Sequence, residues 1–122
     1  MHGESTQLLL HALRQRVDAK IRADLAAEEQ AARALREQVL AAVRSAVEEA
    51  RSEGPCGRVW LFGSFAWGRP GERSDVDLLV ESDDEALVRR VEQASGREVH
   101  AIRMAEAPAS LRERVLAHGL PL

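Results

Sequence analysis

Asp75 and Asp77, separated by one apolar residue, are the side chains of this chain best placed to do chemistry together. On an extended strand, residues two apart point the same way, so both carboxylates share a face while Val76 and Leu78 enter the core. Carboxylates held this close raise one another's proton affinity, and a divalent cation between them removes the conflict. Magnesium or manganese suits such hard oxygen ligands. The bare pair is a weak signal, because a solvated strand start also carries it. Gly63-Ser64 strengthens it, ending an apolar run and preceding Phe65-Ala66-Trp67, which can make a turn of helix. A strand-glycine-helix junction exposes backbone N–H groups to phosphate oxygens. Glycine permits the close approach, and the Ser64 hydroxyl adds a donor. Arg69 and Arg73 lie in the following loop and could compensate phosphate charge.

The elements that must position these groups follow from the hydrophobic pattern. RVWLFG reads as a short buried strand and DVDLLV as a second, with Asp75, Asp77 and Leu79 on one face. DDEALVRRVEQASG has the charged start and terminal glycine of an amphipathic helix, and REVHAIR is a third strand. A last helix runs through SLRERVLAHG, with Ser110 as its cap, Glu113 at capping-box spacing, and Leu111, Val115 and Leu116 available to pack. The fold class expected is α+β, a small mixed β-sheet backed by helices and preceded by a long N-terminal helix.

That helix is expected from about residue 5 to about residue 52, within a region, residues 1–53, where no proline occurs and no glycine follows Gly3. Its apolar stripe passes through Leu10, Leu13, Val17, Ile21, Leu25, Ala32, Leu35, Val39, Val43 and Val47. Ser5 can cap its start, and the EGPCG segment ends it. One long helix is preferred over a two-helix hairpin broken near residues 24–30, because the alanine-rich DLAAEEQAARAL favours continuation. The expected division is a helical extension at 1–56 and a small domain at 57–122. About half of the stripe can rest on that domain. The rest is expected to meet another subunit, making the helix a homo-oligomerisation arm, or to dock a different protein.

Composition narrows the function classes. A net charge of -3 from 17 basic and 20 acidic side chains argues against broad nucleic-acid binding. Cys56 is the single cysteine, which excludes an internal disulfide and suits a reducing compartment. The N-terminal segment does not read as a secretory signal, and no stretch is apolar for long enough to span a bilayer. A cytoplasmic protein without membrane attachment is expected.

GSFAWGRPGERSDVDLLV resembles the signature of the nucleotidyltransferase superfamily related to DNA polymerase beta, in the minimal form that includes antitoxin partners of HEPN-domain toxins. Gly63, Ser64, Ala66, Gly68, Ser74, Asp75, Asp77 and Leu78 carry the match. The tail LRERVLAHGLPL also resembles the family's closing helix. The resemblance implies transfer of a nucleoside monophosphate from ATP or another nucleoside triphosphate to a hydroxyl, with release of pyrophosphate. It implies that Asp75 and Asp77 ligate Mg2+ or Mn2+, that Gly63 and Ser64 position the β- and γ-phosphates, and that Ser74 belongs to the nucleotide-binding loop.

Two positions depart from the pattern. His100 stands where the family carries a third carboxylate, which ligates metal and helps activate the hydroxyl. Imidazole accepts a proton and binds metals but brings no negative charge. Glu98, two residues earlier on the same face, is the nearest replacement ligand, though about 3.3 Å per residue separates the positions. Trp67 stands where the family often has arginine, and its indole could stack on a base or pack against the long helix. Three functions stay open: a working nucleotidyltransferase, a catalytically degenerate antitoxin-like protein that neutralises a HEPN-type toxin by contact, and an oligomer that binds nucleotide without turnover.

Overall fold

The computed structural model describes residues 2–122, with side chains from Ser5 onward. A single helix, α1, runs His2–Glu53, so the hairpin alternative is excluded. Ser5 therefore lies inside the helix and does not cap it. The chain divides into two compact units that meet in sequence between Ala31 and Ala32. In the first, Leu10, Leu13, Val17, Ile21 and Leu25 are 46–55% exposed, an apolar stripe facing solvent.

The second unit holds the remainder of α1, then β1 (Val59–Phe62), β2 (Val76–Val80), α2 (Glu85–Ser95), β3 (Val99–Arg103), α3 (Ala109–His118) and β4 (Leu120–Pro121). Its sheet has the order β3-β2-β1-β4. β1 pairs antiparallel with both β2 and β4, whereas β2 and β3 are parallel. The parallel pair requires a crossover, and α2 supplies it. Asp84 caps that helix by accepting a hydrogen bond from the Leu87 N–H at 3.0 Å, and Gly96 ends it in the left-handed conformation with φ 67°.

Alternation along the strands builds two cores. Val59, Leu61, Val76, Leu78, Val80 and Val99 pack against Val39, Val43, Ala46 and Val47 of α1 and Leu87 and Val91 of α2. Trp60, Phe62 and Leu79 pack on the other face with Ala107 and Val115. Each fully buried Val, Leu or Phe contributes about 1.5–3 kcal/mol, so the C-terminal half of α1 is a structural member of this unit. The stripe is exposed through Leu25, half-buried at Ala32 and Leu35, and buried at Val39, Val43 and Val47.

α3 departs from expectation at its start and on its surface. Pro108 occupies the cap position without a side-chain bond, and Ser110 falls inside the first turn. Val115 is buried and Leu111 packs beside it, but Leu116 is 56% exposed. β4 has no counterpart in the sequence reading. It pairs Leu61 with Leu120, and the Leu122 N–H donates to the Val59 carbonyl at 2.9 Å. A two-residue edge strand containing proline leaves no periodic signal. Among the described residues, no helix is long and apolar enough to cross a membrane.

Candidate functional site

Strand register assembles the site. Phe62 pairs with Asp77 across β1 and β2, and Asp77 pairs with His100 across β2 and β3. Asp77 and His100 thus lie in one row on the α3-facing side of the sheet, with Asp75 and Glu98 just before their strands. Immediately after Phe62, Gly63–Phe65 forms a 3-10 turn whose Gly63 carbonyl accepts the N–H groups of Ala66 and Trp67 at 3.0 Å each.

Gly63 is required on two counts. Its φ is +78°, and a Cβ there would collide with Oδ2 of Asp77. The turn that carries Ser64 therefore lies directly against the Asp77 carboxylate. Gly68 closes the other side, because a Cβ there would come within 2.9 Å of the Ser64 Cα. Arg36 of α1 donates to the Gly68 carbonyl and pins this closure.

The carboxylates surround one imidazole. His100 Nε2 is 3.6 Å from Asp75 Oδ2 and 3.3 Å from Glu98 Oε1, while its Nδ1 is 3.9 Å from Asp77 Oδ1. Glu98, which strand spacing alone left at a distance, is brought within reach of His100. Asp77 is the least exposed of the four, its side chain 28% accessible against 40% for Asp75. Burial holds its carboxyl above the ordinary carboxylate value; His100 opposes that shift and the charge of Asp75 adds to it. A bound cation would relieve both the burial penalty and the repulsion, so the donor set fits a divalent ion.

The arginines separate by role. Arg69 and Arg73 are exposed on the loop between the turn and β2. Arg97, which the sequence reading missed, organises that loop. Its Nη1 donates to the carbonyls of Gly71, Glu72 and Ser74 at 3.1, 3.1 and 2.7 Å, and its guanidinium lies 5.1 Å from the Phe65 ring centroid. Ser74 uses its hydroxyl within the loop, accepting the Gly71 N–H at 2.9 Å. Trp67 packs with the core on the sheet face opposite the one that α1 covers. It joins the α3-side core, 6.0 Å from the Phe62 ring, and carries the Arg114 guanidinium 4.4 Å over its face. A cavity of about 390 Å³ lined by Val80, Asp83, Val88 and Val99 opens elsewhere, beside α2.

Comparison with known proteins gives the family. The family model for the nucleotidyltransferase domain matches residues 43–117. The chain belongs to that family. No curated protein sequence matches it. Among solved structures, a toxin-antitoxin crystallised with AMP-PNP is 23% identical, covering 65% of this chain and 70% of its own, with a TM-score of 0.52. A mutant of the toxin-antitoxin MntA-HpeT is 21% identical over the same shares, also at 0.52. A structure described as a minimal nucleotidyltransferase is 30% identical, covering 78% of this chain and 96% of its own, with a TM-score of 0.46. At their identities the first two establish likeness of fold.

Proposed function

We propose that the chain binds a nucleoside triphosphate, ATP by preference, together with a divalent cation such as Mg2+ or Mn2+, and transfers the nucleoside monophosphate to a hydroxyl. The observation that carries this reading is the packing of Gly63 against Asp77, which brings a phosphate-accepting turn and a metal-ligating carboxylate to one point. The first N–H groups of such a turn have no partner within it and are directed at the β- and γ-phosphates, with the Ser64 hydroxyl as a further donor. Arg69 and Arg73 offset phosphate charge from the loop, and Ser74 shapes that loop. Asp75, Asp77 and Glu98 are the metal carboxylates, and His100 stands in the third acidic position. When bound, the cation supplies charge neutralisation for the leaving pyrophosphate and acidifies the attacking hydroxyl.

The test is incubation with α-labelled ATP, Mg2+ or Mn2+ and candidate protein or small-molecule acceptors, repeated with Asp77→Asn. Transfer abolished in the variant supports the site; equal transfer by both proteins overturns it.

A second reading is favoured by the solvent-facing stripe Leu10–Leu25 and by fold neighbours that are toxin-antitoxins. In it the protein is an antitoxin-like partner of a HEPN-type toxin, and the N-terminal helix is its contact surface or its homo-oligomerisation arm. Charge substitutions on the stripe that leave partner capture unchanged would remove this reading, whatever the outcome with labelled ATP.

A further inference from the structure

The donor set around His100 is not the set that magnesium prefers. One ligand atom each from Asp75, Glu98 and His100 lies within 4.8 Å of the other two. Donors bound to one ion at about 2.0–2.2 Å stand about 3–3.5 Å apart. The Nε2 atom of His100 is 3.3 Å from Glu98 Oε1 and 3.6 Å from Asp75 Oδ2, so each carboxylate already stands near ligand spacing from the ring nitrogen. The other ring nitrogen, Nδ1, faces Asp77 Oδ1 at 3.9 Å. An ion bound at Nε2 would take the place of a proton there, and the Asp75 and Glu98 carboxylates beside it would then share the ion with the ring.

We infer that Asp75, Glu98 and His100 Nε2 form a site selective for a nitrogen-accepting first-row transition-metal ion, of the zinc and cobalt class, over magnesium. Imidazole suits such ions, whereas magnesium keeps to oxygen donors and water. Asp77, on the Nδ1 side of the ring, is not a ligand of this ion and keeps its place with the nucleotide-bound cation of the reading above. The inference deepens the nucleotide-and-metal reading above and shares Asp75 and Glu98 with it, but it concerns which ion the side chains choose. The competing arrangement is a protonated His100 held by the surrounding carboxylates, with no preference for nitrogen-binding metals.

The test uses the full chain without nucleotide. Co2+ is followed by visible absorption, Zn2+ and Mg2+ by calorimetry. Any site binds zinc more tightly than magnesium to some degree, so the decisive quantity is how the zinc-to-magnesium affinity ratio depends on residue 100. We expect His100→Asp to lower that ratio about tenfold or more, and His100→Ala to alter the cobalt spectrum. An unchanged ratio in His100→Asp, with native circular dichroism, overturns the inference. A second measurement needs no variant: the imidazole signals of His100 in the wild-type protein should shift with Zn2+ and not with equal Mg2+, and the absence of a Zn2+-specific shift also overturns it. Nucleotide binding measured on the same proteins separates the two proposals. Binding with an unchanged ratio removes only the metal inference; a shifted ratio without binding removes only the nucleotide reading.

Discussion

Gly63 lies against Asp77 so closely that no side chain fits between the turn and the carboxylate. Gly63→Ala should therefore do double damage, forcing both a displaced Asp77 and a non-glycine residue at φ +78°. The backbone term alone is about 1–2 kcal/mol. Each 1 kcal/mol lowers the melting temperature of a 60–100-residue domain by about 4–8 °C. A double-mutant cycle with Asp77→Ala checks the cause, because removing the carboxylate should recover part of the loss and leave the backbone part.

Asp77 should also destabilise the metal-free protein at neutral pH. Its carboxyl is held above the ordinary value of 3.8. The folded state therefore keeps its proton where the unfolded state has lost it. Between the unfolded and folded values the native state binds more protons, so stability falls as pH rises through that window. Asp77→Asn should abolish this fall and melt at a higher temperature than wild type at pH 7. Thermal melts from about pH 4 to pH 7 in chelator should show the gap opening with pH. A variant that melts below wild type throughout would show that the carboxylate is already compensated.

Arg97 is expected to hold the loop rather than any ligand directly. Its three carbonyl partners at Gly71, Glu72 and Ser74 fall on one stretch of backbone. Hydrogen bonds from a charged group contribute about 1.5–3 kcal/mol each at most, and partial exposure reduces that here. Arg97→Ala should cost about 1–3 kcal/mol in total and make the loop a preferred site for limited proteolysis. Arg97→Lys should recover only part, because an ammonium group cannot reproduce the planar fork.

The exposed half of the α1 stripe should be separable from folding. Val17→Glu with Ile21→Glu changes side chains that are 55% and 51% exposed. Surface substitutions of this kind shift stability by about 0.5 kcal/mol or less. Sedimentation velocity should nevertheless show loss of any self-association, and pull-down should show loss of partner binding. A fall in melting temperature matching a core substitution would place these residues in the packed structure.

The sequence exposed the site more fully than the scaffold's contacts. Asp75 and Asp77 were legible because strand alternation assigns a face without knowledge of the partner strand. The three main strands, the long helix and α2 were legible because each carries its own periodicity or punctuation. Arg97 and Arg36 were not, since each acts on backbone carbonyls far away in sequence, and an arginine's reach is written nowhere in local pattern. The packing of Leu35 to Ala50 with the sheet's core puts that part of α1 in the compact unit Ala32–Leu122. Glycine and proline mark where a helix stops, but only burial marks where a domain starts.

The row Phe62–Asp77–His100 crosses three strands drawn from three separate parts of the chain. A slip of one residue in either ladder would turn a site side chain to the opposite face of the sheet. The metal or nucleotide binding proposed for this row would therefore gauge sheet alignment: a refolded sample could regain all its secondary structure and still bind nothing, the mismatch revealing strands paired one step out of place.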